Sequence, residues 1–155
     1  RGLFIIMTQH IALGLMSGTS ADGVSAALGA FKEKSFQLLG YTTHAYPEGV
    51  VKKIRRGKSL PANELSELNV QIGEAFADTA NRLLKKTHTD PKNVACIGSH
   101  GQTIYHGPRD ATTNTLQIGD PAVIAERTGL TVVSNFRQRP NSWCRISSPS
   151  SAPTP

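Results

Sequence analysis

Ile11-Ala12-Leu13-Gly14-Leu15-Met16, then Ser17-Gly18-Thr19-Ser20-Ala21-Asp22-Gly23, then Val24-Ser25-Ala26-Ala27-Leu28-Gly29-Ala30-Phe31: an apolar run, a polar glycine loop, a second apolar run. This layout predicts two strands, Ile11–Ser17 and Val24–Phe31, with Asp22-Gly23 as the turn signal between them. The glycines let backbone approach a bound group closely, and Ser17, Thr19 and Ser20 add hydroxyl donors. On the residues alone, the loop reads equally as a phosphate cradle and as a plain turn. Asp22 either holds a metal-bound water beside a phosphate or simply opens an Asp-Gly turn. No Gly-x-x-x-x-Gly-Lys-Ser/Thr pattern occurs, which excludes an ordinary P-loop.

Outward from that hairpin, Phe36–Tyr46 reads as a third strand. Pro47 opens a short helix that reaches Arg56 and is stopped by Gly57. Between Pro61 and Lys86, Leu65, Leu68, Ile72, Ala75, Phe76, Thr79, Leu83 and Leu84 recur at helical spacing and define one buried face. Lys85 and Lys86 suit the negative end of that helix. After Asp90-Pro91, Val94–Ser99 reads as a short buried strand emptying into a loop, Ser99-His100-Gly101-Gln102-Thr103. Leu116–Gly119 is another short strand. Asp120-Pro121 joins an acidic N-cap to a first-turn proline, so Ala122–Thr128 is expected as a helix closed by Gly129. Leu130–Phe136 follows as a strand. Strands first, then helices alternating with strands, predict an α/β fold with ligands at its loop edges.

At 155 residues the chain can bury one real core. The net charge of +6 suits an anionic ligand. Its densest cluster, Lys52-Lys53-Ile54-Arg55-Arg56-Gly57-Lys58, has no interleaved aromatic residue and reads as a solvated helix end, which argues against nucleic acid. Cys96 and Cys144 are too few for a disulfide framework. Cys96, in the apolar run Val94–Ile97, is expected as a buried free thiol. No window approaches a membrane span, and Leu3–Met7 is too short for a signal-peptide core, so a soluble cytoplasmic protein is expected. Residues 1–10 read as an N-terminal extension, with Met7 a candidate natural start.

Ser99–Thr103 places four hydrogen-bonding side chains around one glycine, which suits a polyhydroxylated ligand. The plainer reading has His100 and Gln102 satisfying local backbone groups. His100 and His106 lack a third ligand at suitable spacing, so no metal site is expected there. Ser20 is not in a Gly-x-Ser-x-Gly, which excludes a nucleophile elbow. Arg137 and Arg139 read either as an anion clamp or as strand-end surface charges.

Taken together these segments resemble one family. Gly14-Leu15-Met16-Ser17-Gly18-Thr19-Ser20-x-Asp22-Gly23-Val24 is similar to the opening signature of the anhydro-N-acetylmuramic acid kinases. Ile97-Gly98-Ser99-His100-Gly101-Gln102-Thr103-Ile104-x-His106 and Leu116-Gln117-Ile118-Gly119-Asp120-Pro121-Ala122 resemble the next two signatures, in order. Glu126-Arg127-Thr128-Gly129 and Val132-Val133-x-x-Phe136-Arg137-x-Arg139 continue the likeness, which spans residues 11–139. The resemblance implies the N-terminal lobe of an actin/hexokinase-superfamily, ribonuclease H-like sugar kinase, with a mixed sheet and flanking helices. It implies ATP and Mg2+ as cofactors and a sugar substrate. The implied reaction opens the anhydro ring of anhydro-N-acetylmuramic acid and phosphorylates its 6-hydroxyl, in recycling of peptidoglycan. By the same resemblance Gly18, Thr19, Ser20, Ala21, Asp22, Gly23, Val24 and Ser25 fall in the ATP site. Thr103 and Arg139 fall where the family's sugar contacts are expected, and Ser99, His100 and Gln102 are assigned to the sugar with them from the reading of their own loop. A homodimer at full length is compatible with it; nucleic acid and membrane are not implied.

The departures matter as much. Ser25 and Asn135 stand where the family usually carries aspartate, so a carboxylate near the phosphates is lost. The family's catalytic base lies beyond the chain, so no catalytic residue is assigned, and the isolated chain is expected to be inactive. A non-catalytic sugar- or nucleotide-binding fragment is the alternative. After Arg139, Pro140–Pro155 is rich in serine and proline and shows no helix or strand period. One back-translation of the stretch Pro140–Pro149, read one nucleotide later, encodes Ile-Ala-Gly-Ala-Gly-Ser-Ala-Pro, close in character to the family's next glycine loop. Residues 140–155 are therefore expected to be a frameshifted tail. Without a second lobe, apolar surface is expected to stand exposed.

Overall fold

The computed structural model describes residues 9–33, 35–107, 110–112 and 114–137. Most of the expected N-terminal extension, and Arg139, Cys144 and the expected tail, lie outside the described residues. In chain order the elements are β1 (His10–Ser17), β2 (Val24–Lys32), β3 (Ser35–His44), α1 (Glu48–Arg56), α2 (Ala62–Lys86), β4 (Val94–Gly107), β5 (Asn114–Ile118), α3 (Pro121–Thr128) and β6 (Val132–Val133).

The strands form one six-stranded mixed sheet ordered β3-β2-β1-β4-β5, with β6 added on β4. β1–β2, β2–β3 and β4–β5 are antiparallel, whereas β1–β4 and β4–β6 are parallel. A parallel neighbour needs a crossover, and α2 supplies it between the opening hairpins and β4. One face of the sheet therefore receives a helix. Leu13, Leu15, Val24, Ala26, Leu28 and Ile97 point at Leu68, Ile72, Phe76, Ala80 and Leu83 of α2, and all are 2% exposed or less. Fully burying each large side chain of that face is worth about 1.5–3 kcal/mol, so the α2 contact dominates the core. The helical face anticipated from spacing is the buried one, with Leu65 and Ala75 at its half-covered margins.

α3 begins as its residues predict. Asp120 accepts from the Ala122 N–H (2.8 Å) and Pro121 takes the first turn. Gly129, at φ 69°, closes the helix with its N–H on the Ala125 carbonyl. Asp120 also accepts from Asn69 Nδ2 at 3.4 Å, which ties the cap to α2. Asp120→Ala is expected to cost about 1 kcal/mol and to lower the melting temperature by a few degrees, read by circular dichroism.

Three expectations need correction. The stretch after Val94–Ser99 is not a loop: β4 continues unbroken to Gly107. Its ladder with β1 slips, Leu15 facing Ser99 while Ser17 faces Gln102, so three residues of β4 oppose two of β1. Gly101 takes up the extra residue at φ +76°, a conformation costly for any other residue. Leu130–Phe136 forms a strand only at Val132–Val133, because Asn135 turns to φ 62° and breaks the extended run. Cys96 is a free thiol but half-buried, since alternation sends Ile97 into the core and Cys96 to the opposite face.

Candidate nucleotide and sugar site

The loop between β1 and β2 is held from inside. Gly18 accepts from the Ala21 N–H (3.1 Å), forming a tight turn that buries Ala21 and leaves Thr19, Ser20 and Asp22 exposed. Ser17, at the end of β1, has one hydroxyl proton and two acceptors in reach, the Gly23 carbonyl (2.7 Å) and Gln102 Oε1 (2.6 Å). Gln102 Nε2 donates to the Gly18 carbonyl (3.1 Å) and to its own neighbour's, Thr103 (3.2 Å). Gln102 is wholly buried. Its amide is thus a clamp between the hairpin loop and β4, satisfying the Gly18 and Thr103 carbonyls.

That clamp depends on the bulge. Residues three apart in a regular strand point to opposite faces. The extra residue at Gly101 turns both Ser99 and Gln102 toward the helix side, where they are 1% and 0% exposed. Ser99 Oγ has no hydrogen-bond partner there. It lines a cavity of about 190 Å³ together with Asn69, His100, Gln117, Ser134 and Asn135. A buried hydroxyl without a partner costs about 1–3 kcal/mol, so this cavity suits a ligand with hydroxyl or amide groups. His100 is half-exposed; because a carbonyl can only accept, its Nδ1 carries the proton donated to Gly101 (3.1 Å). Thr103 Oγ1 accepts from Gln117 Nε2 at 3.4 Å, across the β4–β5 pair.

The structure therefore brings Gly18–Gly23 and Ser99–Thr103 together, joined by Gln102. It separates Val24 and Ser25 from the loop tip. Val24 is a core side chain, leaving only its backbone available. Ser25 lies on the opposite face of β2, within 3.0 Å of the Tyr41 hydroxyl and 3.1 Å of Thr43 Oγ1. Thr43 Oγ1 also donates to the Tyr41 hydroxyl (2.8 Å), and the Tyr41 hydrogen bonds with Ser25 first and Thr43 second lower its pKa.

Two neighbours of these segments escaped the sequence reading. Asn69 accepts from the Gly119 N–H (2.8 Å) and so fixes the β5–α3 corner that borders the cavity. Its signal was a polar residue one turn after Leu65, inside an apolar helical face. Tyr46 is 6% exposed and its hydroxyl has no hydrogen-bond partner. Burial pushes its pKa up to about 12, against an opposing influence of nearby Ser17. A raised folded-state value means that the associated stability is intact below the unfolded value of about 10 and is lost as pH rises through about 12. Alkaline titration is expected to ionise Tyr41 first and Tyr46 only with unfolding. Tyrosinate absorbance followed alongside far-ultraviolet dichroism checks this, and early ionisation of all tyrosines in a folded chain contradicts it.

Among the described residues no group of three or more His, Cys, Asp or Glu side chains is placed to hold a metal ion. The exposed oxygens of Thr19, Ser20 and Asp22 do fit a magnesium nucleotide, because Mg2+ takes one or two carboxylates and fills its other positions with water and phosphate. No helix among the described residues is long and apolar enough to cross a membrane.

Comparison with known proteins agrees with the motif order. A family model described as anhydro-N-acetylmuramic acid kinase matches residues 10–149. An anhydro-N-acetylmuramic acid kinase of Caldanaerobacter subterraneus is 42% identical over 144 residues, covering 84% of this chain and 36% of the relative. One from Shewanella denitrificans is 43% identical over 130 residues (82% and 35%), and one from Gloeobacter violaceus 42% identical over 142 (86% and 38%). The chain thus spans about a third of the length of the curated relatives it matches. A solved structure of nucleoside triphosphate hydrolases from Neospora caninum overlaps 59% of this chain and 21% of its own at 18% identity, with a TM-score of 0.33, too loose a likeness to relate the folds. With the match running from His10 to Pro149, and relatives above 40% identity across four fifths of its length, this chain belongs to the anhydro-N-acetylmuramic acid kinase family.

Proposed function

We propose that this chain is the N-terminal portion of an ATP-dependent anhydro-N-acetylmuramic acid kinase, carrying one side of the nucleotide site and part of the sugar site. The observation that supports this best is the Gln102 clamp, which fastens the glycine loop to the strand bearing Ser99, His100 and Thr103. In the whole enzyme's reaction, water adds across the anhydro bond and the freed 6-oxygen takes the γ-phosphoryl group, leaving ADP. Phosphoryl transfer depends mostly on positioning and on stabilising charge.

In this reading the Gly18–Gly23 backbone approaches the phosphates and Thr19 and Ser20 donate to them. Asp22 would hold Mg2+, which when bound would supply neutralisation of phosphate charge. Ser99, His100 and Thr103, with Arg139, orient the sugar, while Gln102 acts as a positioning residue. Ser25 and Asn135 keep hydrogen-bonding capacity where the family usually has carboxylates.

The family's base is not among these residues, and loss of a general base alone costs about 10²–10⁴-fold. The chain by itself is therefore expected to form no phosphorylated sugar when incubated with ATP, Mg2+ and anhydro-N-acetylmuramic acid, as followed by mass spectrometry. Product at the rate of an ordinary small-molecule kinase would overturn this. The unpartnered Ser99 hydroxyl favours a second reading, retained sugar binding without turnover. Saturable heat on calorimetric titration with the sugar would support it, and its absence would remove it.

A further inference from the structure

Three hydroxyls meet on β2 and β3, close behind the glycine loop. Ser25 pairs with Thr43 across the ladder, and Tyr41 stands two residues along on the same face. Their oxygens form a triangle: Thr43 to Tyr41 2.8 Å, Ser25 to Tyr41 3.0 Å, Ser25 to Thr43 3.1 Å. Three hydroxyls carry three protons, and Thr43 gives its own to Tyr41. Two arrangements remain. In one, Tyr41 donates to Ser25 and Ser25 to Thr43, a closed ring with no proton pointing outward. In the other, Ser25 also donates to Tyr41, whose own proton then turns away from both neighbours.

The second arrangement gives up one internal hydrogen bond and makes Tyr41 a stronger donor, because an oxygen that accepts twice releases its proton more readily. An anionic oxygen can only accept, so a bond to it offsets the one lost and selects this arrangement. The position suits such a ligand. Tyr41 is 53% exposed, so its proton reaches open space. Asp22, from the loop, is close enough for its charge to oppose ionisation of the phenol and so keep the proton in place. A cavity of about 370 Å³ is lined by Ser25 and Tyr41 together with Met16 and His100. It therefore joins the β1–β2 hairpin to the strand that carries the sugar-side residues.

We propose that Tyr41 is a further residue of the nucleotide site, donating its phenolic proton to a phosphate oxygen, with Ser25 and Thr43 as positioning residues that hold its oxygen. The proposal rests on the nucleotide reading above and extends the phosphate contacts onto β3, which carries none of the site residues assigned from sequence. The 155-residue chain, with its tyrosine rings labelled at Cζ, is titrated with MgATP and followed by nuclear magnetic resonance. The Tyr41 signal and the Gly18–Gly23 amides are expected to move together with one dissociation constant. Tyr41→Phe is expected to weaken binding about tenfold, the worth of one hydrogen bond to a charged acceptor. The same loss is expected with magnesium tripolyphosphate, which has the phosphates without the nucleoside. Because the ring is more than half exposed, the variant is expected to keep the dichroism and melting curve of the parent. Thr43→Val removes a donor to Tyr41 and keeps the shape. It is expected to move Tyr41 ionisation to higher pH and to weaken binding by a smaller factor, and Thr43→Ser to restore both.

Moving Gly18–Gly23 amides with undiminished affinity in Tyr41→Phe would overturn the proposal and leave the nucleotide reading standing. A loss seen with MgATP but not with tripolyphosphate would do the same. Loss of affinity that tracks a lower melting temperature would reduce the triad to a cross-strand stabiliser, which also overturns it. Amides and Tyr41 signal both unmoved by MgATP would remove the proposal and the nucleotide reading together.

Discussion

Gln102→Ala is expected to destabilise the chain by about 3 kcal/mol, a large share of the roughly 5–15 kcal/mol that holds a typical domain. The residue is wholly buried, and its amide makes one acceptor and two donor interactions. Alanine leaves a cavity and strips the Thr103 carbonyl of this partner, while Gly18 keeps only the Ala21 N–H. Urea unfolding measures the loss; a change below about 0.5 kcal/mol would show that the clamp is not structural. Gln102→Glu separates the hydrogen bonds from packing. A carboxylate cannot donate to the Gly18 and Thr103 carbonyls, and burial disfavours its charge, so its folded pKa rises. The sign follows: the variant is expected to be most stable below the unfolded glutamate value of about 4.3 and to lose stability as pH rises through the raised folded value. Stability flat with pH would contradict the buried placement.

Gly23→Ala is expected to cost about 2–4 kcal/mol and to displace the hairpin loop. A Cβ there would sit 2.8 Å from the His44 carbonyl carbon and 3.0 Å from Ala45 Cα. Both are backbone, so relief requires the end of β3 to part from β2. Gly14→Ala is the control from the same motif. Its added Cβ meets nothing nearer than the Ala27 carbonyl oxygen at 4.0 Å, so a change within about 1 kcal/mol is expected. Thermal melts of the two variants measured together decide the matter: equal losses would show that close approach at Gly23 is not what selects glycine.

Much of the architecture was legible because local chemistry agreed with the fold. The α2 face was readable from apolar spacing, and α3 from Asp120, Pro121 and Gly129, since each signal acts within one turn of helix. The glycine loop was readable as a loop, though not as one anchored from within. Ser99–Thr103 misled, because serine, glycine and glutamine have the composition of a turn. The same residues form a strand once β1 and β5 supply ladder partners on both sides. Cys96 misled for a related reason: an apolar neighbourhood in sequence does not say which face of a strand a residue occupies.

By itself, then, the sequence determined the helices, the opening hairpin, the order of the elements and the family, because helix caps, periodicity and motif order are properties of neighbouring residues. Only the tertiary structure decided that Gln102 serves the loop and that Ser99 is left without a partner beside a cavity. Both outcomes turn on one extra residue in β4, and the effect of a bulge on side-chain direction exists only relative to the strand it pairs with.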